Sequence, residues 1–308
     1  MKTKLIWLIF LFLNISSLVR GEDRKITTSD SVNLFISIKG KGIPCLYIHG
    51  GPGSGSSWLE AFSGKMLESK FQMIYLDQRG VGRSSSPANS DYSLHRMLKD
   101  FEEIRQQLGI AKWIVLGHSF AGGIQTSYAA NYPQSISGMI MLNGTVNIAE
   151  SLKGVVEYTR KRVPTGKLQE LDNTNLPLMN QMMICHQALG EDVYKMYYRD
   201  KASADTMNAV MAKISNWNHD FSSKVIAYSE YFQDFSQLTE KITVPVLVFS
   251  GMTDYAIGPE HHRLIRFPEQ ILVRANVGHL PFIEGKDDLE KAISRYLTTY
   301  FRSDKTKS

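Results

Sequence analysis

The 308-residue chain is poor in several features that would place it in a class at once. Its two cysteines, Cys45 and Cys185, are too few for a disulfide scaffold; they allow one bridge and favour two buried thiols. With 43% hydrophobic and 21% charged residues, the composition excludes a disordered or collagen-like chain. The length allows one large domain with an insertion, or two ordinary domains.

A membrane-spanning run is also missing from the amino-terminal region, where the apolar stretch 5–13 has only nine residues. About 20 apolar residues are needed to cross a bilayer as a helix. Lys2 and Lys4 precede the stretch, and small residues up to Gly21 offer cleavage points. This pattern predicts a signal peptide over 1–21, an exported (periplasmic or secreted) protein and no stable membrane anchor. An uncleaved first helix is the alternative.

Outside the first 21 residues, positive charge is not concentrated in any one part of the chain. The net charge of +5 includes three basic residues and no acid before residue 22, and falls to +2 without them. No dense basic stripe is left, so we predict no nucleic-acid partner. The eight histidines include no pair with the H-E-x-x-H or a similar ligand spacing, so we predict no metal site.

Short apolar segments alternate with helical patterns over most of the sequence. The predicted strands are 32–36, 43–49, 71–76, 113–116, 136–142, 244–249 and 270–273, and the predicted helices are 92–108, 124–130 and 287–300. This alternation predicts an α/β fold with a mostly parallel sheet covered by helices on both faces. The stretch 146–238 is helical in pattern, and we predict that it is a cap inserted between two core parts, 22–145 and 239–308.

One predicted strand, 113–116, runs directly into a tight turn around Ser119 and then into a helix. Such a turn needs small residues two positions before and after the serine, and Gly117 and Ala121 meet this requirement. The motif G-x-S-x-G has glycine where Ala121 stands. The helix amino terminus supplies the Phe120 N–H to a developing oxyanion. Ser119 is therefore a candidate nucleophile, although a Gly/Ser-rich turn without catalytic function is the alternative.

The predicted strand 43–49 ends in a glycine-rich loop, Gly50-Gly51-Pro-Gly53. Two successive glycines let the backbone come close to a bound carbonyl group. We predict that the N–H of Gly51 and the N–H of Phe120 form an oxyanion hole. A phosphate loop is excluded because neither Gly-Lys-Ser/Thr nor the G-x-G-x-x-G spacing is present.

An activated serine needs a base and a group that orients the base. Asp254 follows the predicted strand 244–249, and His279 lies in a loop shortly after 270–273. Because the carboxyl ends of parallel strands meet at one edge of a sheet, we predict that Ser119, Asp254 and His279 are the catalytic residues. Taken singly, Asp254 could cap a helix and His279 could be a surface residue. The triad itself supplies nucleophile and base, so no cofactor is implied.

The chain order Ser119, Asp254, His279 resembles that of an α/β-hydrolase. More narrowly, the chain resembles the prolyl aminopeptidase (proline iminopeptidase) family of serine peptidases. This closer resemblance is carried by His-Gly-Gly-Pro-Gly at 49–53 and Leu-Asp-Gln-Arg-Gly-Val-Gly-Arg-Ser at 76–84. It implies the release of an N-terminal residue, often proline, from small peptides through an acyl-enzyme.

In that family, acidic cap residues hold the free amine of the substrate. Nine acids of the cap are candidates for this role, but none of them matches the family's glutamates, and Trp217 stands where a glutamate is expected. These acids are Glu157, Glu170, Glu191, Asp192, Asp200, Asp205, Asp220, Glu230 and Asp234. Methionines and aromatic residues of the cap either line an apolar pocket or pack helices together. The substrate-binding residues are therefore left open.

Three functions are compatible with these patterns. The first is an exported serine aminopeptidase acting on small peptides, and the second is an esterase or amidase acting on small uncharged acyl substrates. The third is a binding module that uses the same fold without catalysis; an intact triad disfavours it. The sequence does not determine the oligomeric state.

Overall fold

The computed structural model describes residues 21–301, except 174 and 216. The predicted signal peptide therefore lies, apart from Gly21, outside the described residues. Within the described part of the chain, no helix is long and apolar enough to cross a membrane. Cys45 and Cys185 are both buried, unpaired thiols.

A single sheet of eight strands organises the described residues, in the order β1-β2-β4-β3-β5-β6-β7-β8. The strands are β1 (Glu22–Thr27), β2 (Asn33–Lys39), β3 (Ile43–Ile48), β4 (Phe71–Leu76), β5 (Trp113–His118), β6 (Ile136–Leu142), β7 (Val246–Gly251) and β8 (Gln270–Ala275). β1 and β2 are antiparallel to their neighbours, and the strands from β4 to β8 run parallel to one another. The predicted mostly parallel sheet is confirmed.

Helices cover both faces of this sheet. The described residues form α1 (Ser57–Glu68), α2 (Leu94–Gln107), α3 (Ala121–Asn131), α4 (Ile148–Arg160), α5 (Leu178–Leu189), α6 (Lys201–Met211), α7 (Asp220–Lys224), α8 (Ser236–Thr239), α9 (Pro281–Glu284) and α10 (Lys286–Tyr300). Alternate residues of β5 point to opposite faces: Val115 packs in the core with α2 and α3, and Leu116 in the core with α1 and α10. Burial on both faces explains why the central strands are continuously apolar.

Two core elements escape the sequence patterns. β1 is an edge strand in which only Ile26 is buried, so its charged residues hide the alternation of a strand. The buried face of α1 includes Ser63 and Gly64, which removes the apolar periodicity of a helix. The positions of both elements therefore depend on tertiary packing and not on a local sequence pattern.

Between β6 and β7, the described residues form helices and no strand. α4 and α5 pack around a small separate core that includes Val155, Cys185 and Met196. In the chain, this group of helices follows β6. One of its loops returns to the core, where Asn218 forms an isolated antiparallel β-bridge with Gly82.

A buried ion cluster joins the loop after β4 to α2. The side chain of Arg79 is completely buried and donates from Nε to Asp100 (2.6 Å) and from Nη1 to Asp30 (3.0 Å). Asp100 also binds Arg96 at 2.8 Å. Buried charges of this kind are costly unless every partner is present, so the cluster fixes the relative position of its loops.

We expect Arg79→Met to lower the free energy of unfolding by about 3–5 kcal/mol, because it leaves Asp100 buried with one cation fewer. Urea denaturation measures the loss. Arg24→Met is the control: Arg24 pairs with Glu22 on the surface, and this variant should keep the stability of the wild type. Equal losses in the two variants would contradict the proposed importance of burial.

Candidate active site

Ser119 occupies a strained turn between β5 and α3. Its φ angle is +57°, a left-handed backbone conformation that residues other than glycine rarely adopt. Three backbone hydrogen bonds hold it there: Ser119 N–H donates to Leu142, and its carbonyl accepts from Gly122 (2.9 Å) and Thr145 (3.0 Å). The turn thereby lifts the serine side chain above the carboxyl edge of the sheet.

Close packing explains the small residues on either side of Ser119. A Cβ atom at Gly117 would lie 2.6 Å from the side-chain amide of Gln125. One at Gly122 would lie 2.4 Å from the carbonyl oxygen of Thr145. Both positions accept only glycine without a rearrangement, so α3 can start immediately after the serine.

The structure brings Ser119, His279 and Asp254 together, although they follow three different strands. His279 Nε2 lies 2.8 Å from Ser119 Oγ, and His279 Nδ1 lies 2.9 Å from Asp254 Oδ2. An ionised carboxylate only accepts, so Nδ1 carries the proton and Nε2 accepts the hydrogen bond of the serine hydroxyl. The other carboxylate oxygen accepts the N–H groups of Ala256 (3.0 Å) and Ile257 (3.3 Å), which holds Asp254 in place.

The backbone of His279 is fixed on both sides. Its N–H donates to the carbonyl of Tyr197 in the helical segment between β6 and β7 (2.7 Å). Its carbonyl accepts a hydrogen bond from Nε2 of His118, the neighbour of Ser119 (2.9 Å). Burial, with a further contribution from His279, lowers the pKa of His118 to about 3. His118 is therefore a neutral donor that anchors the base without adding charge beside it.

Glu284 ties the same loop to the helical segment between β6 and β7. One of its oxygens accepts the N–H of Gly278, and the other accepts the N–H of Arg199, both at 2.7 Å. Asn143, at the end of β6, donates to the carbonyl of Gly278 at 2.7 Å. The sequence reasoning missed these supporting residues. Only the position of Glu284, five residues after His279, lies close enough in sequence to have drawn attention to it.

The glycine-rich loop after β3 packs directly against the serine turn. A Cβ at Gly50 would lie 2.8 Å from that of Ser119, and Gly51 has a φ of +115°. Gly51 and Phe120, the two predicted oxyanion donors, line one pocket together with Ser119 and His279. The arrangement places the residues Gly51 and Phe120 beside the hydroxyl of Ser119.

Residues of the loop after β4 hold the glycine-rich loop. Gln78 donates from its side chain to the His49 carbonyl (2.9 Å) and from its backbone to His49 Nε2 (3.2 Å). Asp77 accepts the N–H of Ser56 (2.9 Å) and pairs with Arg83 (2.7 Å). Burial alone would raise the pKa of Asp77, but Arg83, the Ser56 N–H and His49 together outweigh burial, and the pKa is lowered. The segment 76–84 thus holds the glycine-rich loop in its position.

Two pockets meet at Gly51 and Pro52. The serine pocket, of about 210 Å³, is lined by Gly51, Pro52, Ser119, Phe120, Thr145, Ile148, Ser151, Met179, Met182, His186, Tyr197, Phe232, Ala256, Ile257 and His279. The Trp pocket, of about 440 Å³, is lined by Gly51, Pro52, Gly53, Ser54, Trp58, Met211, Ile214, Trp217, His219 and Ser222. In the part of the chain that the structure describes, neither pocket is lined by an aspartate or glutamate, so none of the nine candidate acids of the predicted cap lines either one.

Metal ligands are not clustered at this site. Among residues 21–301 other than 174 and 216, no group of three or more His, Cys, Asp or Glu side chains could hold a metal ion. The chemistry that the arrangement allows is nucleophilic attack by a hydroxyl whose proton passes to an imidazole.

Comparisons with known proteins show to which family this chain belongs. A family model described as alpha/beta hydrolase fold matches residues 44–286, so the chain belongs to the α/β-hydrolase fold family. Lipase 1 of Psychrobacter immobilis is 26% identical over 290 residues, 90% of this chain and 81% of that protein. Proline iminopeptidase of Neisseria gonorrhoeae is 35% identical over 101 residues, 32% of each chain.

A solved structure, that of a proline iminopeptidase-related protein from Thermus thermophilus, has a similar fold. It matches with a TM-score of 0.75 at 18% identity, covering 91% of this chain and 98% of that one. The predicted fold class and the predicted resemblance to prolyl aminopeptidases are confirmed. The protein is an α/β hydrolase whose relatives include both lipases and proline iminopeptidases.

We expect stability to fall as the pH is lowered from about 6.5 towards 4, in part because of His118. The pKa of about 3 in the folded protein is below the value of about 6.5 expected in the unfolded chain, which therefore binds the proton first. Each such histidine contributes up to about 1.4 kcal/mol per pH unit in that range. His118→Gln, which keeps an N–H donor, should show a shallower fall in urea-denaturation experiments at pH 6 and pH 5. Identical slopes would contradict this role.

Proposed function

We propose that this α/β hydrolase is a serine hydrolase that cleaves esters, or amides, of uncharged apolar acyl groups. Ser119 attacks the carbonyl carbon while His279 takes the hydroxyl proton and Asp254 stabilises the resulting imidazolium. The N–H groups of Gly51 and Phe120 bind the oxyanion. His279 then protonates the leaving group, an acyl-enzyme forms on Ser119, and a water molecule activated by His279 releases the acid.

The observation that carries this proposal is the absence of carboxylates from the described lining of the serine pocket and of the neighbouring Trp pocket. A substrate with a free N-terminal amine brings a positive charge into a partly dry site, which is costly without an anionic partner. The described pocket walls instead present methionine, isoleucine, phenylalanine and tryptophan side chains. Trp217, the residue at the position where the resemblance implies a glutamate, is part of this apolar lining.

Prolyl aminopeptidase activity is the second candidate. It is favoured by the motifs at 49–53 and 76–84 and by the similarity to a protein named proline iminopeptidase. Prolyl aminopeptidase activity would require the helical segment between β6 and β7 to rearrange, so that one of its carboxylates reaches the substrate amine. Export is a separate proposal, which rests on the sequence of residues 1–21.

We expect Ser119→Ala to lower kcat by roughly 10⁶, because it removes the nucleophile while leaving the binding surfaces in place. Ser223→Ala, a change of an exposed serine on α7, is the matched control and should keep wild-type activity. Release of p-nitrophenol from p-nitrophenyl butyrate measures both variants. Substantial activity in Ser119→Ala would refute the assigned nucleophile, and with it the proposed mechanism.

The two candidate functions differ in the charge of the substrate. We expect the purified protein to hydrolyse p-nitrophenyl butyrate and to leave proline p-nitroanilide intact, since the amine of proline finds no carboxylate among the described pocket residues. Initial rates of chromophore release from the two substrates decide the question. Rapid cleavage of the anilide, with slow cleavage of the ester, would favour the aminopeptidase.

A further inference from the structure

The Trp pocket adjoins the serine pocket at the glycine-rich loop. Gly51 and Pro52 line both pockets, whereas Ser119 and His279 line only the serine pocket. A substrate whose carbonyl oxygen points at the Gly51 N–H therefore lies where the two cavities meet. The two cavities are candidate binding sites for the two halves of an ester, the acyl group and the alcohol.

The indole that forms one wall of the Trp pocket is held by backbone groups. Trp217 Nε1 donates to the carbonyl oxygen of Gly53 at 3.3 Å. A Cβ atom at Gly55 would lie 2.2 Å from the indole ring, and one at Gly82 would lie 2.9 Å from it. The ring occupies space that only glycine leaves free, so this wall is preformed and keeps the cavity open.

The two cavities differ in size. Ligand pockets generally have volumes of about 300–1,000 Å³. The Trp pocket, at about 440 Å³, lies within this range, while the serine pocket, at about 210 Å³, lies below it. Trp58, Met211 and Ile214 give the larger cavity an apolar lining. The bulky apolar part of a substrate therefore fits the Trp pocket, and the serine pocket accepts a small group.

The position of His279 decides which half of the ester goes where. The general acid must come within hydrogen-bond reach of the leaving-group oxygen. Since His279 lines the serine pocket and not the Trp pocket, the leaving alcohol belongs in the serine pocket. The acyl chain then extends past Gly51 and Pro52 in the other direction.

We infer that the Trp pocket is the binding site for the acyl chain, so that the preferred substrates are esters of a medium-length apolar acid and a small alcohol. This inference rests on the proposed function, because it assigns the two halves of an ester. It makes Met211 a residue that determines acyl specificity and Met179, in the serine pocket, a residue that contacts the alcohol side.

Two isomeric esters test the assignment. Ethyl octanoate carries the long chain on the acid, and octyl acetate carries it on the alcohol, with the same atoms in total. We expect kcat/KM to be at least about 10-fold higher for ethyl octanoate, because burial of each methylene group contributes to binding. Release of acid from each ester, followed in a pH-stat, gives the two values.

Three partly exposed methionines provide matched variants. Met211 (44% exposed) lines the Trp pocket, Met179 (37%) lines the serine pocket and Met183 (53%) lines neither. Met211→Ala should lower kcat/KM for ethyl octanoate about 3- to 10-fold, and Met179→Ala should lower it mainly for octyl acetate. Met183→Ala should leave both values unchanged.

A preference for octyl acetate, or methionine effects that are equal or exchanged between the two esters, would overturn the assignment while leaving the protein an esterase. If neither these esters nor p-nitrophenyl butyrate is cleaved and proline p-nitroanilide is, the proposed function itself fails and the acyl site falls with it. Ile214→Trp adds an independent check: by filling the cavity, it should reduce turnover of ethyl octanoate more than that of ethyl acetate. Equal reductions would also overturn the inference.

Discussion

The hydrogen bond between His279 Nδ1 and Asp254 is the interaction on which the rest of the site depends. It sets the tautomer of the imidazole, because the carboxylate can only accept, and so leaves Nε2 facing the hydroxyl of Ser119. Asp254 can do this only because two backbone N–H groups hold its second oxygen. A base in the other tautomer would have no lone pair with which to accept the serine proton.

The support around this hydrogen bond comes from two parts of the chain. The core supplies His118, the last residue of β5, and Asn143, which directly follows β6; their side chains hold the carbonyl groups of His279 and Gly278. The segment between β6 and β7 supplies the carbonyl of Tyr197, and Glu284 joins this segment to the histidine loop. The helices between β6 and β7 therefore help to position the base as well as to enclose the pockets.

The character of the pockets follows from the side chains that these helices contribute. Apolar and polar residues, without aspartate or glutamate, line the described surfaces of the serine pocket and of the neighbouring Trp pocket, and this lining is the basis of the proposed preference for uncharged substrates. The chain is similar both to a lipase and to a proline iminopeptidase. One fold can therefore support more than one activity, and the site decides which of them is carried out.

The α/β class, most of the parallel strands and the candidates Ser119, Asp254 and His279 can be predicted from the sequence, because buried strands are locally apolar and the turns after them carry recognisable residues. The sequence does not reveal β1, α1 or the supporting contacts of His118 and Glu284. Edge strands, weakly amphipathic helices and backbone hydrogen bonds between distant segments leave little local pattern. Which side chains enclose Ser119 depends on the folded chain, because residues from the glycine-rich loop and from helices far along the chain meet there by packing.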